Sequence, residues 1–331
     1  MKLVKTPLRI SYVGGGTDYP SYYMNNEGCG VIAAAINQYV YIYSHKLSPI
    51  AKEQIRFTYR ETESVNAIAE LKHPVLREML KLRNWPEKTN FGTFSDLPSG
   101  VGLGGSSSFA VGLAHLILDT GSNEIDPHVL AELAVRVERD ELKEPGGIQD
   151  HYVAAFGGLR KYEFKQSGVE VSPKIMSQDA VLYLEERQML IWLEETRDSE
   201  THAAVTESEI GKSNSYLKEM TDLFQETGKI FSEDMGGAQT FEKIKEAVTL
   251  GWSYKKRFTS ELSPIVQSVE TVLSKFSDVG YKLCGAGGSG FLLVLAEPDI
   301  LAQIKNSLPG YSVLHPKISL LGSSVQSPVW E

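Results

Sequence analysis

The chain has 331 residues, 42% of them hydrophobic, and a formal net charge of −9. This length predicts about two domains at the usual ~150 residues each, and the acidic balance argues against broad binding to nucleic acid or to an anionic membrane. Because no apolar run approaches the ~18 residues of a membrane span, a signal-peptide core is missing and the two cysteines lack metal spacing, we expect a reduced, cytoplasmic protein.

The first half of the chain contains both predicted strands and predicted helices. Strands are predicted at 8–13, 31–43 (as one strand or two), 55–59, 90–94, 152–164 and 169–174. Helices are predicted at 67–82, 106–118 and 127–142, the last beginning at Pro127, a residue favoured at the first helical position.

The second half begins with a predicted strand at 189–193. Helical patterns follow at 214–233, 238–256 and 264–276, and short apolar strands at 281–284 and 291–295. This mixture predicts an α+β protein built from two layers. We place the domain boundary near residue 182, giving an N-terminal domain of 1–182 and a C-terminal domain of 183–331.

The most informative segment is a glycine-rich loop at residues 98–108, which runs directly into the predicted helix 106–118. It has glycines at positions 100, 102, 104 and 105 and serines at 106, 107 and 108. A glycine-rich loop that opens a helix brings backbone N–H groups to the positive end of the helix dipole, which makes an anion site. We interpret the loop as a cradle for the phosphates of a nucleotide. The alternative is a flexible loop that only caps a helix.

Two further glycine-rich segments lie near the two ends of the chain. Residues 14–16 end the first strand and precede Asp18, which could accept hydrogen bonds from sugar hydroxyls or simply form a turn. Residues 285–290 match G-x-G-x-x-G, the pattern of a dinucleotide-binding dehydrogenase. That motif requires a following helix, whereas residues 291–295 read as a strand, so a loop packed on another loop or on a phosphate fits better.

Two carboxylates are candidates for chemistry. Glu138 lies four residues after Ala134 and therefore beside the apolar face of the predicted helix 127–142, where it needs a cation or hydrogen-bond donors. Mg²⁺ would serve, and so would an arginine or lysine. Asp150 follows the breaker 145–147, which could aim it into a cleft as a catalytic base or leave it as a helix cap. The histidines near these motifs, His151 and His202, are interpreted as solvated or core residues.

These motifs, in this order, resemble those of the GHMP kinases over essentially the whole chain. The resemblance rests on residues 7–10 with 14–18, on Pro98-x-x-x-Gly102-Leu103-Gly104-x-Ser106-Ser107, on Glu138 and Asp150, and on 285–290. Within that superfamily, segments 14–23, 147–158 and 250–263 are most similar to the D-glycero-D-manno-heptose 7-phosphate kinases.

The resemblance implies an N-terminal domain with a βαβ-containing sheet, a C-terminal ferredoxin-like domain and an active site in the cleft between them. It implies that Asp150 is the base and that Arg9 keeps it ionised, while Ser106 and Glu138 hold Mg²⁺. The residues implied for ATP are Pro98, Gly100, Gly102, Leu103, Gly104, Gly105, Ser106, Ser107 and Ser108. One departure is Gly105, which stands where many members have a serine, and it makes the choice among the three serines less secure.

The substrate residues come partly from the resemblance and partly from charge. The resemblance implies sugar contacts from Gly15, Gly16, Thr17, Asp18, Gly147, Gly287 and Gly288. A distal phosphate on the sugar would need its own cation, for which Arg197 is the first candidate and the triplet 255–257 the second. Each of these could equally be a solvated surface charge.

We therefore expect an ATP-dependent kinase that phosphorylates the anomeric hydroxyl of a sugar, with D-glycero-D-manno-heptose 7-phosphate as the first candidate. The alternatives are a kinase of fucose, galactose or unphosphorylated heptose, a sensor without activity, and a dehydrogenase. The expected partner is a small molecule rather than nucleic acid or a membrane, and whether the chain forms a homodimer is left open.

Overall fold

The structure is a computed structural model that describes residues 1–85, 88–121, 124–173, 177–194, 214–230, 235–258, 262–285 and 290–326. Its described strands form two sheets. Among the described residues, no helix combines the length and the apolar character needed to cross a membrane.

The first sheet contains the strands of the N-terminal half and one strand from the end of the chain. They are β1 (Lys2–Val13), β2 (Cys29–Lys46), β3 (Ile55–Thr58), β4 (Thr62–Val65), β5 (Thr89–Ser95), β6 (Leu159–Lys165), β7 (Gly168–Val171) and β12 (Ser324–Gln326). The order is β12-β1-β2-β5-β3-β4, and β6 pairs with β2 and with β7. Only β3 and β5 run parallel among these described pairs.

The long strand β2 is the centre of this sheet. Its first half, from Cys29 to Ile36, is fully buried, and its second half alternates, with Val40 and Ile42 buried between half-exposed tyrosines. Residues buried on both faces are typical of a covered strand, and alternation is typical of a strand with one open face. The segment predicted as one strand or two is therefore one strand, with register shifts against β1 near Pro7 and near Ser11.

Five helices described for the N-terminal half accompany this sheet, and the third and fifth of them pack on β1 and β2. They are α1 (Pro20–Tyr23), α2 (Pro74–Leu82), α3 (Gly105–Leu118), α4 (Pro127–Val135) and α5 (Gln149–Phe156), and α6 (Gln178–Glu185) leads to the second sheet. The prediction of a helix over 67–82 was wrong at its start, because Pro74 begins α2 and only a 3₁₀ turn, Ile68–Glu70, precedes it. The segment predicted as a helix over 127–142 begins as α4, which ends at Val135, and continues as a π-helical turn, Arg136–Glu141.

The prediction of a strand over 152–164 was also wrong in its first part. Residues 151–155 are helical and all buried in α5, and the strand β6 begins only at Leu159. A short apolar run that is buried on all sides carries no periodicity, so its sequence cannot distinguish a strand from a helix.

The second sheet has the order β11-β8-β10-β9 and is antiparallel. Its strands are β8 (Gln188–Trp192), β9 (Gly280–Leu283), β10 (Phe291–Leu295) and β11 (Val313–Leu314). Among the described residues of this half, the helices are α7 (Asn214–Ile230), α8 (Gly237–Phe258), α9 (Pro264–Leu273) and α10 (Pro298–Ser307). One face of β8 and β10 packs against α9 and α10 in a core of its own, while the opposite face, with Leu190, Leu293 and Leu295, belongs to the core of the first half.

The two sheets meet along the inner end of β1. The Tyr12 hydroxyl donates to Gln188 Oε1 over 2.7 Å, and Lys282 Nζ donates to the Tyr12 carbonyl over 3.3 Å. These residues are buried, so the halves are joined by satisfied polar contacts as well as by apolar packing. The glycine-rich loop lies at this junction, since the Phe291 amide at the start of β10 donates to the Val101 carbonyl.

Candidate active site

The glycine-rich loop turns its carbonyl groups towards the protein. The Val101 carbonyl accepts from the Phe291 amide over 3.3 Å, and the Leu103 carbonyl accepts from the Arg9 amide over 3.0 Å. The Gly102 carbonyl accepts from the Arg9 guanidinium over 2.7 Å. In a trans peptide the N–H points away from the C=O. The N–H groups that follow these carbonyls therefore point away from Arg9 and Phe291, as an anion cradle requires.

The loop ends in the first turn of α3. Gly104 is the N-cap and has a φ of +78°, a left-handed conformation that favours glycine. No side chain caps this helix, and the first N–H groups of an α-helix have no acceptor within the helix. These N–H groups and the helix dipole make this end of α3 suitable for a phosphate.

The three serines after this cap differ in what their hydroxyls contact. The exposed Ser106 donates to Glu138 Oε1 over 2.8 Å. The buried Ser107 contacts Glu138 Oε2 at 3.5 Å. Ser108 is buried and donates to the backbone carbonyls of Pro7 and Gly104. Only Ser106 therefore combines accessibility with a position beside the carboxylate.

Glu138 is a buried carboxylate surrounded by donors. It lies in the π-helical turn after α4 and is 1% exposed. Besides the serines, its Oε2 is 2.6 Å from His151 Nε2 and 3.8 Å from an Arg139 nitrogen. Burial raises the pKa of Glu138, but the charges and hydrogen bonds of His151, Arg139 and Ser106 outweigh it and leave the pKa below its usual value. The side chain is thus kept ionised inside the protein.

Arg9 and Asp150 form a bidentate ion pair directly below the loop. Arg9 Nε lies 2.6 Å from Asp150 Oδ1 and Arg9 Nη2 lies 2.7 Å from Oδ2. Burial opposes the charge of Arg9, but Asp150 raises the pKa of the guanidinium overall. A Cβ on Gly104 would lie 3.2 Å from both Arg9 Cγ and Asp150 Oδ2. The pair therefore packs against the N-cap of α3.

Asp18 fixes the start of α5, the helix that carries Asp150. Its Oδ2 accepts from the Gln149 amide and its Oδ1 from the Gly16 amide, over 3.2 and 3.1 Å. Burial, and then the charge of Asp150, raises the pKa of Asp18. A Cβ on Gly147 would lie only 1.8 Å from Asp18 Oδ2, so this position requires glycine. Asp18 is 1% exposed, so the hydrogen bonds that its carboxylate accepts here come from the backbone of this turn and of α5.

The turn before Asp18 presents backbone rather than side chains. A Cβ on Gly15 would have nothing within 4 Å, whereas one on Gly16 would lie 3.0 Å from Leu217 of α7. The Thr17 hydroxyl donates to the Gly30 carbonyl over 3.1 Å and is fully buried. Thr17 therefore anchors this turn, and Gly15 leaves the backbone open to a ligand.

Gly285 and Gly290, at the two ends of the glycine-rich segment 285–290, pack on the glycine-rich loop 98–108. A Cβ on Gly285 would lie 2.8 Å from Gly102 Cα, and one on Gly290 would lie 2.6 Å from the Val101 carbonyl oxygen. This close approach of two backbones agrees with the interpretation of a loop packed on another loop. Gly287, Gly288 and Arg197, predicted to contact the substrate, lie outside the described residues.

The contacts of three residues in this region were not predicted from the sequence. His151 was interpreted as solvated or core; it is buried, and it contacts Glu138. Gln149 donates its amide to Asp18, and its buried Oε1 has no protein partner. Lys282 lies near Arg9, and burial lowers its pKa to about 8. For His151 and Gln149, the sequence offers one signal: each is a polar residue directly next to the candidate base, Asp150.

A divalent cation at this site would depend on few protein ligands. Among the described residues, no group of three or more His, Cys, Asp or Glu side chains is arranged to hold a metal ion. The Ser106 hydroxyl and Glu138 Oε1 are the oxygen pair beside the phosphate cradle. Mg²⁺ commonly binds one or two carboxylates and takes its other ligands from phosphate and water, so the pair is compatible with a phosphate-bound Mg²⁺.

The chain is similar in sequence to known small-molecule kinases. Residues 67–158 match the family model of the GHMP kinases N terminal domain. Over 317 residues the chain is 27% identical to a D-glycero-alpha-D-manno-heptose 7-phosphate kinase of Campylobacter jejuni, covering 90% of this chain and 91% of that protein. A galactokinase of Pyrococcus furiosus is 23% identical over 334 residues, covering 92% of each chain.

Solved structures of low sequence identity share the fold over nearly the whole chain. A D-glycero-D-manno-heptose 1-phosphate kinase from Bacteriodes thetaiotaomicron superimposes with a TM-score of 0.79 at 20% identity, covering 99% of each chain. A galactokinase of Lactococcus lactis gives a TM-score of 0.70 at 15% identity, covering 98% of this chain and 94% of that one. The predicted two-domain α+β fold is thereby confirmed.

Proposed function

We propose that this chain, a sugar kinase of the GHMP superfamily, transfers the γ-phosphoryl group of ATP to the anomeric hydroxyl of D-glycero-D-manno-heptose 7-phosphate. The product would be the 1,7-bisphosphate. The choice of sugar is supported by the heptose 7-phosphate kinase among its relatives. The described geometry supports the reaction type.

One observation carries the proposal. The Arg9–Asp150 pair packs against the N-cap of α3, where an uncapped helix and the glycine-rich loop offer N–H groups to phosphate. An acceptor hydroxyl beside Asp150 would then lie next to the terminal phosphate of a nucleotide bound along the loop. Alignment and charge stabilisation are the main requirements of phosphoryl transfer, and this arrangement supplies both.

Ser106 and Glu138 fit a magnesium ion. Their oxygen atoms are 2.8 Å apart, close to the ~2.9 Å between neighbouring ligands of an octahedral ion bound at about 2.0–2.1 Å. The lowered pKa of Glu138 keeps it ionised for that role. When bound, Mg²⁺ would supply positive charge to offset the charge of the phosphates.

Asp150 would orient the sugar hydroxyl and accept its proton. The hydroxyl oxygen forms a bond to the γ-phosphorus, the bond from that phosphorus to the bridging oxygen breaks, and ADP leaves with the electron pair. Both oxygens of Asp150 already accept hydrogen bonds from Arg9, which fixes the orientation of the carboxylate. Its main contribution would therefore be alignment, with proton transfer adding up to the ~10²–10⁴-fold of a general base.

The turn at residues 15–18 would contact the sugar. Gly15 leaves its backbone open, and the buried Asp18 would hold this turn in place through the Gly16 and Gln149 amides and accept from a sugar hydroxyl only at an acceptor site that these amides leave unused. Gly147 would allow this approach by keeping side-chain atoms away from Asp18. Arg197, Gly287 and Gly288 are proposed to complete the site around the distal phosphate and the glycine-rich segment 285–290.

The experiment is ADP release with Mg·ATP over a panel of four sugars: heptose 7-phosphate, unphosphorylated heptose, fucose and galactose. We expect kcat/KM to be highest for heptose 7-phosphate, with phosphate added at the anomeric position as read by ³¹P NMR. A clear preference for another sugar of the panel would replace the proposed substrate. An absence of ADP release with every sugar would favour a non-enzymatic sensor on the same fold.

A further inference from the structure

His151 is a fully buried imidazole that follows the candidate base in sequence. It is 0% exposed. Its Nε2 lies 2.6 Å from Glu138 Oε2, and its Nδ1 lies 3.3 Å from the Ile148 carbonyl oxygen. A carboxylate and a carbonyl can only accept hydrogen bonds, and a neutral imidazole has one N–H. The contact with Glu138 Oε2 is the shorter of the two, so Nε2 is the nitrogen that donates to the carboxylate.

The contacts of Glu138 divide its two oxygen atoms into different roles. Oε2 faces the interior, where His151 is its shortest contact and Ser107 lies 3.5 Å away. Oε1 contacts the exposed Ser106 at the mouth of the phosphate cradle. A hydrogen bond that holds one oxygen of a carboxylate restricts the rotation of the group. The orientation of Oε1 therefore depends on the partner of Oε2.

We propose that His151 is a positioning residue that holds Glu138 through Oε2, so that Oε1 is presented beside Ser106 as a single metal ligand. This inference rests on the proposed function, because it assumes that Ser106 and Glu138 bind the divalent cation. His151 itself would not touch the metal ion or the substrate. It would set the affinity for the metal by fixing the carboxylate that does.

The position of His151 also connects the two carboxylates of the site. Asp150 and His151 are consecutive residues of α5, and successive side chains of a helix point about 100° apart. This short helix thus directs Asp150 to Arg9 and His151 to Glu138. Asp18 holds the start of the same helix through the Gln149 amide. The spacing of base and metal ligand would therefore be set by one rigid element.

Two amide variants separate the two contacts of the ring. In His151→Gln the side-chain nitrogen can occupy the position of Nε2 and donate to Glu138, whereas in His151→Asn it can reach only the position of Nδ1. Both variants remove the ring and any positive charge, so their difference isolates the hydrogen bond to Glu138. His115→Gln is the matched control, since this partly buried histidine contacts Ser323 and lies outside the Glu138 cluster.

The readout is the binding of Mn²⁺ in the presence of AMP-PNP, followed by the EPR signal of free Mn²⁺. We expect His151→Asn to weaken Mn²⁺ binding by about 10–100-fold, the usual effect of losing an outer partner of a metal ligand. His151→Gln should recover most of that loss, and His115→Gln should bind as wild type. In ADP release, the Mg²⁺ requirement of His151→Asn should rise more than its kcat at saturating Mg²⁺ falls.

Equal Mn²⁺ affinity in His151→Asn and wild type would overturn the inference, and so would a Gln variant that binds no better than the Asn variant. If His151→Asn does not fold, as judged by circular dichroism and thermal melting, His151→Leu takes its place in the comparison with His151→Gln. A wild-type protein that does not bind Mn·AMP-PNP would overturn the proposed function itself. Binding by wild type with no effect of the variants would overturn only the role of His151.

Discussion

The two carboxylates beside the glycine-rich loop are held in opposite ways. Asp150 has a side chain that is 22% exposed, and both of its oxygens contact one guanidinium, that of Arg9. Glu138 is almost fully buried, and its oxygens are divided between a histidine and serine hydroxyls. The first arrangement leaves a carboxylate that is fixed in orientation and partly exposed. The second keeps a buried charge ready to exchange the Ser106 hydrogen bond for a cation.

This difference indicates how the site divides its work. A partly exposed carboxylate can contact an acceptor hydroxyl, while a buried one with a single accessible oxygen is suited to a metal ion. We therefore expect substitutions at the two positions to affect different kinetic quantities. Substitution of Asp150 should lower kcat, and substitution of Glu138 should raise the Mg²⁺ requirement.

Asp150→Asn should reduce kcat at least about a hundredfold, the lower end of what a general base contributes. The amide keeps the shape of the side chain but loses the charge that pairs with Arg9. ADP release measures kcat, and calorimetry with AMP-PNP and Mg²⁺ should give wild-type affinity. Near-wild-type turnover in this variant would remove Asp150 from the reaction.

Glu138→Gln should raise the Mg²⁺ concentration for half-maximal activity by at least about tenfold, as even the loss of an outer partner of a metal ligand does. An amide oxygen is a weaker ligand for Mg²⁺ than a carboxylate. Titration of Mg²⁺ at fixed ATP in the ADP-release assay measures the change. An unchanged titration curve would show that the metal is held elsewhere.

Gly147→Ala should lower the free energy of unfolding by about 1–3 kcal/mol, the usual cost of overpacking. Its Cβ would lie 1.8 Å from Asp18 Oδ2 and so would displace the residue that holds the start of α5. Urea denaturation measures the loss, and the sugar KM should rise with it. Gly310→Ala is the control, because a Cβ there meets nothing within 4 Å; equal stability of the two variants would contradict the packing argument.

Gly105→Ala should give the smallest effect, a stabilisation of about 0.4–1 kcal/mol from reduced freedom of the unfolded chain. Gly105 is already helical, and its Cβ would have Leu8 Cδ2 at 4.0 Å as the nearest atom. Gly104→Ala should instead destabilise, because that position has a φ of +78° and packs on Asp150. Thermal melting compares the two variants, and a destabilised Gly105→Ala would mean that the loop has no room for a methyl group.

The sequence predicts the local parts of this site better than the distant ones. The loop and α3 were predicted because glycines followed by serines and an apolar run are a local signal of a helix start. The position of Glu138 beside a buried face followed from helical spacing, although the helix changes to a π turn before it. The pairing of Arg9 with Asp150 joins residues 141 apart and came only from the family resemblance.

The start of α5 and the contact of His151 with Glu138 could not be predicted, because both depend on the turn geometry around this helix. Residues 151–155 are buried on all sides, and the pattern from residue 152 onwards was interpreted as a strand. His151 reaches Glu138 only because a π turn and the 142–148 segment bring the two residues together. No spacing rule relates a π turn to a helix that begins eight residues after it. The role of this histidine therefore emerges from tertiary structure alone.

A structure of the protein with AMP-PNP and Mg²⁺ would test the central claim most directly. The account predicts phosphate oxygens against the N–H groups of residues 102–107, and Mg²⁺ at about 2.0–2.1 Å from Ser106 Oγ and Glu138 Oε1. Phosphates bound away from the start of α3, or a metal ion that contacts neither side chain, would contradict it.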